Sequence, residues 1–138
     1  MAEFAHERLD VYRVAVEFLV VAEEVSASLP KGRAYLADQL RRASLSILLN
    51  VAEEAGEFAA ADKARFYRMA RRSGTESAAI LDGCNLLRLA EAPKLEQGRE
   101  LVYRIVAMLT AMVLRLREPG TGAGTGTGAG RDRRSDES

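Results

Sequence analysis

One apolar repeat constrains this chain more than any other feature. Leu95, Gly98, Val102, Ile105, Leu109, Met112 and Leu116 follow one another at alternating steps of three and four, a spacing that draws one stripe along an α-helix. Pro93 suits the first turn of that helix, where a missing N–H is tolerated, and Glu118-Pro119-Gly120 closes it. A stripe of this length has to be covered by other helices. Ala and Leu supply most of a 48% hydrophobic composition that has only 6% aromatic residues and three prolines, which favours helices over strands. The class expected is all-α.

Three further helices are legible. Val11, Ala15, Phe18, Ala22, Val25 and Leu29 mark the first, from about Leu9 to Leu29. A second set, Leu9, Tyr12, Val16 and Leu19, lies beside that stripe, and Val20 sits among Arg13, Glu17 and Glu24. The apolar face is wider than one bundle requires. Pro30-Lys31-Gly32 breaks the chain before a second helix from roughly Ala34 to Ala55, with Gly56 as its expected left-handed cap. Between Arg42 and Glu53 this helix carries ten residues without a charge, far short of the roughly 20 that a membrane span needs. It is read as interior on most sides, with the stripe Leu36, Leu40, Ala43, Ile47 and Asn50. A buried amide needs partners, expected for Asn50 on a neighbouring helix.

The third helix is expected from about Ala60 to Ala90, its inner line running through Phe66, Ala70, Ser73, Ser77, Ile80, Cys84 and Leu87. Its middle, Ala70, Ser73, Gly74, Ser77 and Ala78, is built from small residues that let another backbone come close, complementing the leucine-rich middle of the second helix. Four amphipathic helices with short joints predict an antiparallel up-down-up-down four-helix bundle over residues 1–118, with a flexible Gly/Thr-rich tail and charged end at 119–138. A hairpin turning near Phe58 sets residues whose numbers sum to about 117 at one height. That levels Arg41 with Glu76 and Arg65 with Glu53.

Formal charge is zero, but residues 1–30 carry six acids against two arginines and residues 31–72 carry nine Lys or Arg against five acids. The chain lacks the bulk basic signature of a dedicated nucleic-acid binder, while its dipolar surface can attract phosphate locally. Arg65, Arg68, Arg71 and Arg72, with Arg41 and Arg42, are the candidates for binding RNA or DNA, since 65, 68 and 72 share one helix face and guanidinium pairs with phosphate in a bidentate manner. The alternative is a solvated face paired with Glu53, Glu54, Glu57 and Glu76. Asn50, Glu53 and Glu76 are read as a structural polar network tying the second and third helices. A di-metal or acid/base site is set aside, because such bundles carry carboxylates on all four helices together with Glu-x-x-His pairs. The single histidine, His6, is expected ahead of the first helix. No cofactor, metal or catalytic residue is expected, and Cys84 reads as a small core residue. The N-terminus has no export signal, which points to the cytoplasm, and no span for a membrane is seen. The surplus apolar face of the first helix points to a homo-oligomer.

Three stretches carry a family likeness: Phe4-Ala5-His6-Glu7-Arg8-Leu9-Asp10-Val11-Tyr12-Arg13; Gln39-Leu40-Arg41-Arg42-Ala43-Ser44 with Asn50-Val51-Ala52-Glu53; and Arg65-Phe66-Tyr67-Arg68-Met69-Ala70-Arg71 with Ser73 and Glu76. Over about residues 4–118 the chain resembles the bacterial four-helix bundle proteins encoded in intervening sequences of large-subunit ribosomal RNA genes, a family similar to the accessory variability protein of diversity-generating retroelements. The resemblance implies a small bundle that assembles into a barrel-like homopentamer without known catalysis. In the retroelement relative the basic barrel surface binds nucleic acid and a reverse transcriptase. Two positions depart from the pattern: Glu54 stands where the Asn-x-Ala-Glu motif usually continues with glycine, and Arg72 where a glycine commonly precedes Ser73.

Overall fold

The computed structural model describes residues 2–56 and 59–117. It contains four α-helices, α1 Ala2–Ser28, α2 Ala34–Glu54, α3 Ala60–Leu86 and α4 Ala92–Leu116, with a 3-10 turn at Lys31–Arg33. Each helix packs on two neighbours in the order α1, α2, α3, α4 and back to α1. Contacts across each seam run in opposite directions along the chain: Glu23 with Arg41 and Ser26 with Ala37, Ser46 with Ser73 and Glu54 with Lys63, Arg71 with Thr110 and Asp82 with Arg99, Glu7 with Arg115 and Glu24 with Lys94. The molecule is the all-α antiparallel four-helix bundle expected. The expected turn at Phe58 and tail at 119–138 lie outside the described residues.

Helix ends show where local chemistry overrides the sequence expectation. α2 stops through Ala55 and Gly56, whose N–H groups donate to Ala52 and Glu53, but Gly56 lies outside the left-handed region. The left-handed residue is Arg88, at φ 56°. There the Leu89 N–H reaches the Cys84 carbonyl at 2.9 Å and the Arg88 N–H reaches Asn85 at 3.1 Å, the paired bonds of a Schellman stop. α3 therefore ends at Leu86 and not at Ala90.

The core corrects two stripes. On α2 the buried line is Ala37, Leu40, Ala43, Ser44, Ile47, Val51 and Glu54, while Leu36 and Asn50 are only half-buried. On α3 it runs through Ala64, Tyr67, Ala70, Ser73, Gly74, Ser77, Leu81 and Cys84, leaving Phe66 and Ile80 half-buried and Leu87 exposed. A middle made of small residues fits two adjacent stripes equally well, so the large residues at its ends, Tyr67 and Leu81, set the rotation. Gly74 is a close-approach site as expected, but its main neighbour is on α4: a Cβ there would stand 3.0 Å from Val106 Cγ2, with Ile47 Cδ1 of α2 at 3.9 Å. Gly98 plays the same part on α4, where a Cβ would meet Leu81 Cδ1 at 3.1 Å.

Candidate functional site

The arginines of α3 face outward because Tyr67, Ala70 and Gly74 face in. Arg65, Arg68, Arg71 and Arg72 line one shallow groove with Met69 and Thr75. Two of the four are held in place. The Arg65 guanidinium lies 4.5 Å from the centroid of the Phe66 ring, and Arg71 Nη1 donates to Thr110 Oγ1 of α4 at 3.4 Å. Arg68 and Arg72 are exposed. Among the described residues no carboxylate lies within ion-pair distance of any of the four. From Arg65 to Arg72 the groove spans about 10 Å along the helix axis.

Arg41 belongs elsewhere. Its Nε and Nη2 donate to the two carboxylate oxygens of Glu23 on α1 at 2.9 and 3.0 Å. That pair holds the Glu23 carboxyl below its ordinary pKa and the guanidinium above its own. Arg42 is exposed on α2. The expected pairs Arg41 with Glu76 and Arg65 with Glu53 do not form, because equal height does not put two side chains on the same arc of the bundle.

The polar seam between α2 and α3 differs from the expected network. Asn50 Nδ2 donates to the Ser46 carbonyl at 2.9 Å and to Ser46 Oγ at 3.2 Å, so its partners sit one turn back on its own helix. Ser73 Oγ donates across the seam to Ser46 Oγ at 2.8 Å. Glu53 and Glu76 are exposed and take no part. Short polar side chains in a helix satisfy themselves on nearby backbone, and the uncharged stretch of α2 does so at Ser44 as well, whose Oγ donates to the Arg41 carbonyl at 3.1 Å.

The structure adds a cluster that spacing arguments missed. Glu54 is 1% exposed. Lys63 Nζ of α3 donates to its Oε2 at 2.8 Å, and Arg8 Nε of α1 stands 3.8 Å from its Oε1. The Tyr67 hydroxyl lies against the same carboxylate, and burial first, then the Glu54 charge, pushes its phenol well above the ordinary value. Beside it Arg115 of α4 pairs with Glu7 of α1. All four helices thus contribute charge to one end of the bundle. The signal was present: Leu40, Ile47 and Glu54 are seven residues apart, so Glu54 continues a core position. A carboxylate this deeply buried and held by two cations is a structural clamp.

The fold defines the class, an antiparallel helical bundle with a basic outer helix. The chain belongs to the 23S rRNA-intervening sequence protein family, whose sequence profile matches residues 7–111. The fold is also that of a crystallised protein of unknown function from the S23 ribosomal protein family of Bacteroides thetaiotaomicron, at a TM-score of 0.72 and 17% identity, covering 78% of this chain and 98% of that one. No curated protein matches. Among the described residues no helix is long and apolar enough to cross a membrane, and no group of three or more His, Cys, Asp or Glu is placed to hold a metal ion.

Proposed function

We propose that the chain is a non-enzymatic, self-associating helical adaptor of the cytoplasm that holds RNA or DNA by its phosphate backbone. One observation carries the reading. Four guanidiniums share the α3 groove with no carboxylate in ion-pair range among the described residues, so their charge is available to phosphate. Of the acids set against them as a solvated pairing, Glu53 and Glu76 are exposed and form no ion pair with them among the described residues, Glu54 is buried on Lys63, and Glu57 lies outside the described residues. Repetition of the groove in an oligomer multiplies a modest local field, and the family resemblance implies five copies.

Labelled RNA and DNA oligomers titrated with the full chain test this by fluorescence anisotropy. Both are expected to bind at low salt and to release as salt rises, and the Arg65→Ala/Arg68→Ala/Arg72→Ala variant is expected to lose binding. The zero net charge and the exposed apolar residues of α1, α2 and α4 favour a second reading, a protein-interaction scaffold without a nucleic-acid role. Unshifted anisotropy for both nucleic acids at low salt selects it.

A further inference from the structure

The four arginines of the α3 groove are not equivalent, and one of them presents a plane. The Arg65 guanidinium stands over the Phe66 ring, 4.5 Å from its centroid, and its Nη1 donates to the Met69 sulfur at 3.9 Å. Phe66 is half-buried, while Met69 and Arg65 are exposed. The ring covers one face of the guanidinium and the thioether holds its edge, so the opposite face is left to solvent. A cation seated in this way has already given up much of the rotamer freedom that a loose arginine loses on binding. Its remaining N–H groups lie in the guanidinium plane. The same residue can therefore donate to a phosphate along its edge and carry a flat ring on its face.

The groove also runs past its four arginines. Arg68 lines a second depression with Ala60, Ala61, Ala64, Leu116 and Arg117, in the crease between the start of α3 and the end of α4. No acid lines either stretch. Arg68, Arg72 and Arg117 are exposed and enter no ion pair among the described residues. Together the two stretches make one basic path, about 18 Å long from Ala60 to Arg72 along α3.

Such a path suits one strand better than two. In a duplex the bases are stacked inside, and reading them takes a helix lowered into a major groove about 12 Å wide. α3 has α2 on one side and α4 on the other, and a single helix with its side chains is already about 10–12 Å across, so the bundle is too broad to enter. A duplex meets only the arginine charges. A single strand can lie along the crease with its bases free to turn, and an unstacked base packs on a guanidinium plane as it does on an aromatic ring.

We propose that this groove takes single-stranded nucleic acid in preference to duplex, with the phosphates following Arg72, Arg68 and Arg117 and one base lying flat on the outer face of the Arg65 guanidinium. The inference rests on the phosphate-binding reading above and adds the form of the ligand to it. Every base has a face to stack, so the site is expected to tolerate many sequences.

Anisotropy titrations of the full chain with a single-stranded DNA, its duplex and an abasic strand of the same length test it. The intact single strand is expected to bind about fivefold more tightly than the abasic one, the lower end of what one stacked base contributes. It is also expected to bind more tightly than the duplex, although the duplex carries the denser charge. Arg65→Lys keeps the charge and removes the plane, so it should bring the intact strand down to the abasic level while leaving duplex affinity and the salt slope unchanged. Phe66→Leu, which keeps an apolar group in the half-buried place, should do the same by unseating the guanidinium; matched melting curves show that each variant is folded. Arg117→Ala should make the single-strand salt slope shallower by about 0.7, and a slope equal to the wild type's overturns the course of the strand past Arg68. Equal affinity for the intact and abasic strands, or an Arg65→Lys that weakens duplex as much as single strand, overturns the stacked base and leaves the phosphate groove standing. If none of the three probes binds at low salt, nor the RNA form of the single strand, the groove reading itself falls.

Discussion

The outer face of α3 and the end of the bundle beneath it use the same kinds of residue to opposite ends. Arg65, Arg68 and Arg72 point into solvent with no carboxylate in ion-pair range among the described residues, while Glu54, a turn away in space, is buried between Lys63, Arg8 and Tyr67. An exposed guanidinium keeps its hydration and costs the fold little, so it can wait for a ligand. A buried carboxylate loses its hydration and persists only because cations replace it. Stability and binding are therefore expected to separate cleanly between the two regions.

The largest effect is expected at the buried end. Lys63→Met leaves Glu54 without its hydrogen-bonded cation and should lower unfolding free energy by roughly 3 kcal/mol in urea titrations. Adding Glu54→Leu to that variant should recover most of the loss, since an apolar pair of similar volume does without the desolvation cost. A Lys63→Met protein as stable as the wild type would move Glu54 out of the core.

Tyr67 gives a pH signature of the same cluster. Its folded phenol keeps its proton to higher pH than the unfolded one. The stability this contributes is complete below the unfolded value of about 10 and is lost as pH rises through the folded value, at up to about 1.4 kcal/mol per pH unit. Tyr67→Phe should lack that part of the alkaline slope; identical slopes for the two proteins would contradict the placement.

Smaller effects mark the seam and the groove. Because Asn50 bonds only within α2, Asn50→Leu should cost no more than about 1 kcal/mol, with Ser46→Ala costing about as much by stranding the Ser73 hydroxyl. The triple alanine variant of Arg65, Arg68 and Arg72 should melt within about 0.5 kcal/mol of the wild type. A large loss there would make the arginines structural and dissolve the contrast.

The bundle was legible because helical periodicity is long-range and redundant: four apolar stripes separated by breaks define four helices even where, as on α2 and α3, the inner line itself was displaced. The outward arginines were legible for the same reason, since 65, 68 and 72 fall opposite any choice of inner line. Rotation within a helix was less so. Small residues at 70, 73, 74 and 77 left the α3 line to be set by Tyr67 and Leu81, and their contacts on other helices are absent from local spacing. Glu54 was read as surface because acids usually are, although its place seven residues beyond Ile47 argued otherwise. Asn50 was given a partner too far away because the backbone one turn back, the nearest acceptor of all, leaves no mark in the pattern of side chains. The stop at Arg88 was hidden by the expectation of glycine at a left-handed position.

The separation of roles is tested most directly by the salt dependence of RNA binding for the wild type and for Arg65→Ala/Arg68→Ala/Arg72→Ala, measured on proteins shown to melt alike. Plotted as log affinity against log salt, the variant is expected to have a slope shallower by about 2 for a single strand, with three phosphate contacts removed. Equal slopes with equal affinity would show that the nucleic acid does not touch α3.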